Sequence, residues 1–301
     1  MDQATVAELE PAEALPAVRP RWWMNLRRHR SAQIGGFILL VFLLGATVGA
    51  VLVRNSPTAD FSYQDLAAAF EHPSLAHPLG TDWIGRDVLV RLIYGARYTM
   101  SISTAAVLAG LVIGIPIGAA SGYFGGWFDL LVQRVVDIVL AFPSFLLALA
   151  LLAAMGTGFF NVILAVSITS FPRVVRLLRA STLSLREMQY VEAARVMDVP
   201  DHKIVARHIV PNALAPLIVR STMELGGTIV HVAGLGFLGL GINEPTPEWG
   251  TMLGEAHRYI FSDPVLLVFP AACIVLVSIS FNLLGDALRD VLDPRLNVLR
   301  S

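Results

Sequence analysis

Arg220, Glu224 and His231 are ionisable side chains in an otherwise apolar stretch, Ala213 to Leu235. At about 100° per residue, offsets of 4 and 11 place all three within roughly 40° of one helix face. A guanidinium and a carboxylate on that face can pair with each other, or meet the carboxylate and amine ends of a solute. A charge inside a bilayer costs at least about 2.5 kcal/mol, so such groups usually face a wet cavity or a partner. One reading makes this face the border of a cavity at the contact with a second subunit. The other has Arg220 reaching for the membrane edge, capped by Glu224, with His231 packed near the opposite surface.

A second polar group lies just before that stretch. Tyr190 to Asn212 reads YVEAARVMDVPDHKIVARHIVPN, a helix-forming segment between apolar runs. Helix-forming composition runs from Arg173 through Met188 and EAARVM, then breaks at Asp198-Val199-Pro200. Pro200 suits the start of a second short helix, because a first-turn residue needs no N–H partner. The expected shape is helix–turn–helix with a small exposed knob, about 173–212. Glu192 and Arg195 can form charge-assisted bonds within or across it. Ala193 and Ala194 are small enough for a partner surface to come close. From spacing alone, an ordinary amphipathic surface loop fits these residues equally well.

Covalent and metal chemistry find no matching residues. Cys273 is the only cysteine, so an intrachain disulfide and a thiolate-rich metal site are both excluded. Within the last apolar block it reads as a small buried hydrophobe. No paired nucleophile and base, no HExxH set and no GxxxxGK[ST] phosphate loop occurs. The GLGFLGLG run at 234–241 follows an apolar helix, not a strand, and is no nucleotide fingerprint. No basic patch interleaves with aromatics, so nucleic acid is not an expected partner.

The elements that must hold these residues are membrane helices. Of 301 residues, 55% are hydrophobic and only 15% charged, against about a quarter charged in a soluble domain. The apolar residues fall in blocks of roughly 20, the length that crosses a ~30 Å hydrocarbon layer. Six spans are expected near Ile34–Val53, Thr99–Gly122, Ile138–Met155, Phe159–Phe171, Ala213–Leu235 and Pro264–Leu284. The first follows more than 30 polar residues and exceeds a signal-peptide core, so it reads as a retained anchor. The chain divides into a 1–33 tail, a 34–98 part with the first helix and a long connection, and a 99–301 core.

Arg and Lys placement orients the stack. The tail holds Arg19, Arg21, Arg27, Arg28 and Arg30, and the loop after the fourth span holds Arg173, Arg176, Arg179, Arg186, Arg195, Lys203 and Arg207. The positive-inside rule puts both termini and the knob in the cytoplasm. The long 54–98 segment then falls outside despite Arg54, Arg86, Arg91 and Arg97, since long loops weigh less. RWWMNLRRHR suits the membrane boundary, with Trp at headgroup level and Arg reaching lipid phosphates.

Smaller patterns concern packing. Gly110, Gly114, Gly118 and Gly122 recur every four residues and line one helix face, a seam for another helix backbone. Pro116 lies within it and can kink the helix. GLGFLGLG favours close backbone contact at the end of the fifth span. Arg134 and Asp137, three residues apart, are spaced to pair.

The 190–212 segment resembles the EAA signature of binding-protein-dependent ABC importer permeases, with Glu192, Ala193 and Ala194 as its eponymous residues and His208, Ile209, Pro211 and Asn212 at its end. One departure is Asp198, where the family usually has Gly; Asp also tolerates a left-handed helix end. HPLGTDWIGRDVLVRLIYGAR (His77–Arg97), GYFGGWFDLLVQRVVDIVLAFPSFLLAL (Gly122–Leu149), GLGFLGLGINEPTPEWGTML (Gly234–Leu253) and NLLGDALRDVLDPRL (Asn282–Leu296) are similar to dipeptide and oligopeptide permeases of the C type. Together they span most of 77–296, and Ile34–Val53 resembles that subfamily's extra first helix.

The resemblance implies an all-α membrane protein of the type I ABC importer permease fold, in a bacterial cytoplasmic membrane. It implies no catalysis by this chain, with ATP and magnesium held by two separate ATPase subunits. It further implies a homologous B-type permease, an extracytoplasmic solute-binding protein, and short peptides as cargo. Nickel chelates, glutathione or other small solutes use closely similar subunits. By the same resemblance the ATPase grips the knob, at Glu192, Ala193, Ala194, Arg195, Asp198, Val199, Pro200, His208 and Pro211. An intramembrane enzyme lacks the residues it would need, and a passive channel has no use for such a knob.

Overall fold

The computed structural model describes residues 22–49, 51 and 60–292. Arg19, Arg21 and Arg54, and the chain after Leu292, lie outside them. The helices are α1 (Trp22–Arg28), α2 (Arg30–Leu44, continued by a π-turn Gly45–Gly49), α3 (Val88–Phe124), α4 (Gly126–Leu140), α5 (Ser144–Met155), α6 (Phe159–Leu185), α7 (Gln189–Val196), α8 (Asp201–Ile204), α9 (Val210–Phe237), α10 (Trp249–His257) and α11 (Val265–Leu292). Among the described residues, five helical runs are long and apolar enough to cross a membrane, at 30–49, 88–124, 159–185, 201–237 and 265–292. The pair α4 and α5 makes a sixth when counted as one bent span.

That bend corrects the expected third span. Ile138–Met155 is not one helix: α4 and α5 meet at 87°. Pro143 stands at the corner, as the residue before α5. A proline has no N–H for the helix ladder and pushes the residue before it, here Phe142, out of helical geometry. The fourth span is longer than its apolar run. Pro172 sits inside α6 without ending it, and the helix carries its arginines on to Leu185.

The glycine seam sets the distance between α3 and α6. A Cβ on Gly114 would stand 2.7 Å from the Val174 side chain, on Gly118 2.7 Å from the Val175 carbonyl oxygen, and on Gly122 2.7 Å from the Arg179 carbonyl oxygen. Only glycine lets the two backbones lie this close. Ser167 donates from its hydroxyl to the Ala106 carbonyl at 3.1 Å across the same contact. The expected Arg134–Asp137 pair is replaced by a bond between helices: Arg176 of α6 donates to Asp137 of α4, because α4 lies along the lower part of α6.

A second layer of close contacts binds the remaining spans. Gly226 of α9 faces the Ser278 carbonyl of α11, and the Ser278 hydroxyl donates back to the Gly226 carbonyl at 3.0 Å. Gly35 brings α2 against the Ser280 carbonyl of α11. One apolar core gathers α3, α9, α10 and α11 around Trp249, and another joins α3, α5, α6 and α9 around Leu152 and Val162. GLGFLGLG packs as expected, Gly236 against Glu248 and Thr251, while Gly250 of α10 sits on Ala233.

Candidate functional site

The knob forms as a helix–turn–helix. Its first helix, α7, carries Glu192 in the first turn, exposed, where the positive helix end favours a carboxylate. Asp198 ends it in the left-handed region at φ 58°. The Val199 N–H reaches the Ala194 carbonyl at 3.1 Å and the Asp198 N–H reaches Arg195 at 3.0 Å, the paired bonds of a Schellman cap. Asp198 therefore fills the turn that glycine would normally take. Pro200 is the residue before α8 rather than its first member. Glu192, Ala193, Arg195 and Pro200 are exposed, Val199 is half-buried, and Ala194 is buried against Val191, Ile204 and Ile209. Ala194 is thus small for the knob's own packing.

The second half of the knob is not a separate element. Helix α8 runs through a π-turn, Val205–Ile209, directly into α9. His208 lies half-buried in that π-turn, and Pro211 is exposed in the first turn of α9. The run from Asp201 to Phe237 is one helix of 37 residues, about 55 Å long at 1.5 Å per residue. The knob is also tied to α3: the Tyr123 hydroxyl donates to Asp201 at 2.5 Å, and the Arg195 guanidinium lies 5.3 Å from the Tyr123 ring centre.

Further along that helix, Arg220, Glu224 and His231 face one cavity of about 790 Å³, shared with Phe145, Arg173 and Asn282. Glu224 forms an ion pair with Arg173 of α6, oxygen to nitrogen 3.0 Å, and its other oxygen is 3.6 Å from Arg220. His231 stacks on Phe145 with ring centres 5.6 Å apart. Arg173 is the member that the sequence did not single out. It follows Pro172 at the end of an apolar run, where it reads as one of several loop arginines. Only the continuation of α6 past Pro172 brings it to the cavity.

The description "binding-protein-dependent transport system inner membrane component" fits residues 114–298. The N-terminal transmembrane domain of oligopeptide transport permease C fits residues 21–73. The chain belongs to this family of ABC importer permeases, in its oligopeptide permease C branch. It is 39% identical to the dipeptide transport system permease protein DppC of Alkalihalophilus pseudofirmus over 95% of this chain and 93% of the relative. It is 40% identical to the glutathione transport system permease protein GsiD of Pectobacterium atrosepticum over 92% of this chain and 91% of the relative. A solved structure of the MetNI methionine ABC transporter, in an inward-facing conformation, shares the fold at TM-score 0.54 and 21% identity, covering 67% of this chain and 96% of that one. The permease is therefore a multi-pass membrane subunit that does no catalysis itself and works with ATPase and permease partners.

At the end of α3 opposite the knob, the permease carries a buried ion cluster. Arg86 (1% exposed) donates to Asp82 at 2.5 Å and to Glu255 at 3.2 Å; Arg91 (2% exposed) donates to Glu255 at 2.9 Å. Burial pushes the Glu255 carboxyl up to about 7, against the pull of Arg91. Glu248 is raised as well, by complete burial, while it accepts from Thr99 at 2.9 Å and caps α10. Glu244 is lowered, with Glu255 and then the nearby arginines favouring its charge. Trp249 completes the joint, its indole N–H donating to the Leu92 carbonyl at 3.1 Å. Arg86 and Arg91 are thus paired inside the protein with Asp82 and Glu255. Sequence reasoning missed the cluster because Glu255 lies more than 160 residues from Arg86 and Arg91.

Proposed function

We propose that the permease, with a homologous B-type subunit, forms the path of an ATP-driven importer for dipeptides and oligopeptides. The observation that carries this reading is the single helix from Asp201 to Phe237, whose lower end is half of the knob and whose middle lines the cavity. A push on Glu192, Ala193, Arg195, Asp198, Val199 and Pro200 from an ATPase subunit travels through this rigid element, past His208 and Pro211, to Arg220, Glu224 and His231. Rigid-body rocking of packed helices is an ordinary route for such transmission. ATP and magnesium belong to the two ATPase subunits, and an extracytoplasmic binding protein selects and delivers the cargo. The knob and both termini face the cytoplasm. The dipeptide relative supports a peptide cargo; the glutathione relative makes glutathione, itself a peptide, the second reading.

The test is gentle purification of the tagged chain from its native membrane, with identification of the chains that accompany it. Two ATPase chains and a second permease are expected. The associated binding protein is then titrated with dipeptides, glutathione and nickel, and saturable binding of nickel alone would overturn the peptide assignment. Recovery of a homo-oligomer alone, in a detergent that preserves another ABC complex, would overturn the importer assembly.

A further inference from the structure

The charged lining of the cavity is unbalanced. Arg173 and Arg220 face it with Glu224 as the single carboxylate among its lining residues. A neighbouring cavity of about 570 Å³ shares Arg220 and Met223, and adds Arg289 and no acid. The described lining of the two spaces therefore carries three guanidinium groups against one carboxylate.

The pairing within this group is also unequal. Glu224 is held at hydrogen-bond distance by Arg173 alone, while Arg220 stands 3.6 Å from the other carboxylate oxygen, beyond the range of a good charge-assisted bond. The Arg220 side chain is 56% exposed, whereas Glu224 is 19% exposed. Arg220 thus has most of its donors open to the cavity and only a loose counter-ion. A guanidinium in that state takes a carboxylate through two parallel N–H donors.

We propose that Arg220 is a docking residue for the free carboxylate of a passing solute, with Glu224 retained by Arg173 when the solute displaces it. This rests on the reading of the chain as a path-lining permease. The solute's carboxylate exchanges for Glu224 at Arg220, so no charge is left unpaired during the exchange. Arg289 stands on the other side of Arg220, in the adjoining space, as the next cation that an anionic group meets. His231, stacked on Phe145, lies outside this exchange. A solute without a carboxylate gains nothing from the site, and a cationic one is repelled by it.

Gly227 offers a place to read the cavity's charge without knowing the cargo. It lines the larger cavity, and a Cβ added there meets nothing within 4 Å. Cys273 is the chain's only cysteine, so Gly227→Cys with Cys273→Ala leaves one thiol. The whole transporter in membrane vesicles is treated with a sulfonate-bearing and a quaternary-ammonium thiosulfonate reagent, and each rate is divided by that for a free thiol in solution. The expected result is a preference of roughly tenfold for the anionic reagent, lost in Arg220→Gln and kept in Arg220→Lys. Tri-alanine should slow the labelling and its C-terminal amide should not.

Equal or cation-favouring rates would overturn the carboxylate site and leave the permease reading intact. So would equal protection by tri-alanine and its amide. Failure of both reagents to reach the thiol, in membranes with and without ATP, would overturn the site and the path-lining role of this face together.

Discussion

The Tyr123 hydroxyl donates to the Asp201 carboxylate at 2.5 Å, fastening the last turn of α3 to the first turn of the helix that lines the cavity. Arg195, in the first half of the knob, packs over the same ring. One side chain of a distant helix therefore touches both halves of the helix–turn–helix. The knob cannot tilt against α9 without disturbing it.

Tyr123→Phe keeps the ring and its packing but removes the donor. A hydrogen bond to a charged group is worth about 1.5–3 kcal/mol, so the knob should loosen while the spans stay folded. In vesicles holding the whole transporter, the variant is expected to hydrolyse ATP at near-normal rates and move several-fold less solute per ATP. An unchanged ratio of solute to ATP would show that the brace plays no part in coupling.

Glu192→Lys addresses the outer surface of the knob. Glu192 is exposed in the first turn of α7, where reversing its charge costs the helix no more than about 2 kcal/mol. Its effect on folding is therefore small, and any large effect on uptake comes from a lost partner contact. The variant should reach the membrane in normal amount with ATP hydrolysis uncoupled from uptake. Immunoblots of membranes beside a labelled-solute uptake assay read both quantities, and normal uptake would remove Glu192 from the coupling surface.

Much of this was legible in the residues themselves. The apolar blocks marked the spans, and the four-residue glycine period marked the seam between α3 and α6. Asp198 announced its left-handed turn, and the offsets in the fifth span brought Arg220, Glu224 and His231 to one face. What stayed hidden depends on contacts between distant segments. The bend at Pro143 lay inside a run that reads as continuously apolar. Arg173 reached Glu224 only because α6 continues past Pro172. The salt links of Arg86 and Arg91 to Glu255 could not be inferred from charges so far apart in sequence.

The seam between α3 and α6 should be intolerant of even one methyl group at its tightest points. At Gly118 the added Cβ meets backbone, the Val175 carbonyl oxygen at 2.7 Å, and no rotamer change relieves that contact. Gly118→Ala should therefore cost about 1–3 kcal/mol and Gly118→Leu should prevent assembly. At Gly36 an added Cβ meets nothing within 4 Å, so Gly36→Ala serves as the tolerated control. Apparent melting temperatures in detergent, with yields from membranes, distinguish the two sites; equal tolerance would mean that the seam is looser than described.

Arg220 and Glu224 should matter to transport more than to assembly. Arg220 is largely exposed to the cavity, so Arg220→Ala removes little packing. Glu224→Ala frees Arg173, which is 34% exposed and can turn toward water. Both variants are expected to co-purify with their partners in normal proportion and to lose most uptake. Normal uptake by both would take this face out of the path.

The ion cluster gives the opposite end of the permease a pH-dependent stability with a definite sign. Glu255 titrates near pH 7 in the folded protein against 4.5 as its ordinary value, so between those values the folded state holds a proton that the unfolded chain has lost. Stability then falls as pH rises from about 4.5 to about 7 and is level beyond, by at most about 3 kcal/mol for this group. Glu248 is shifted in the same direction. Glu244 is shifted downward, and its contribution appears below pH 4.5, outside that window. Melting of the purified protein between pH 5 and pH 8 should show the decline, and Glu255→Gln should flatten part of it, since Gln stays neutral at every pH. The slope, not the level, is the readout: an unaltered slope in Glu255→Gln would assign the titration to another group.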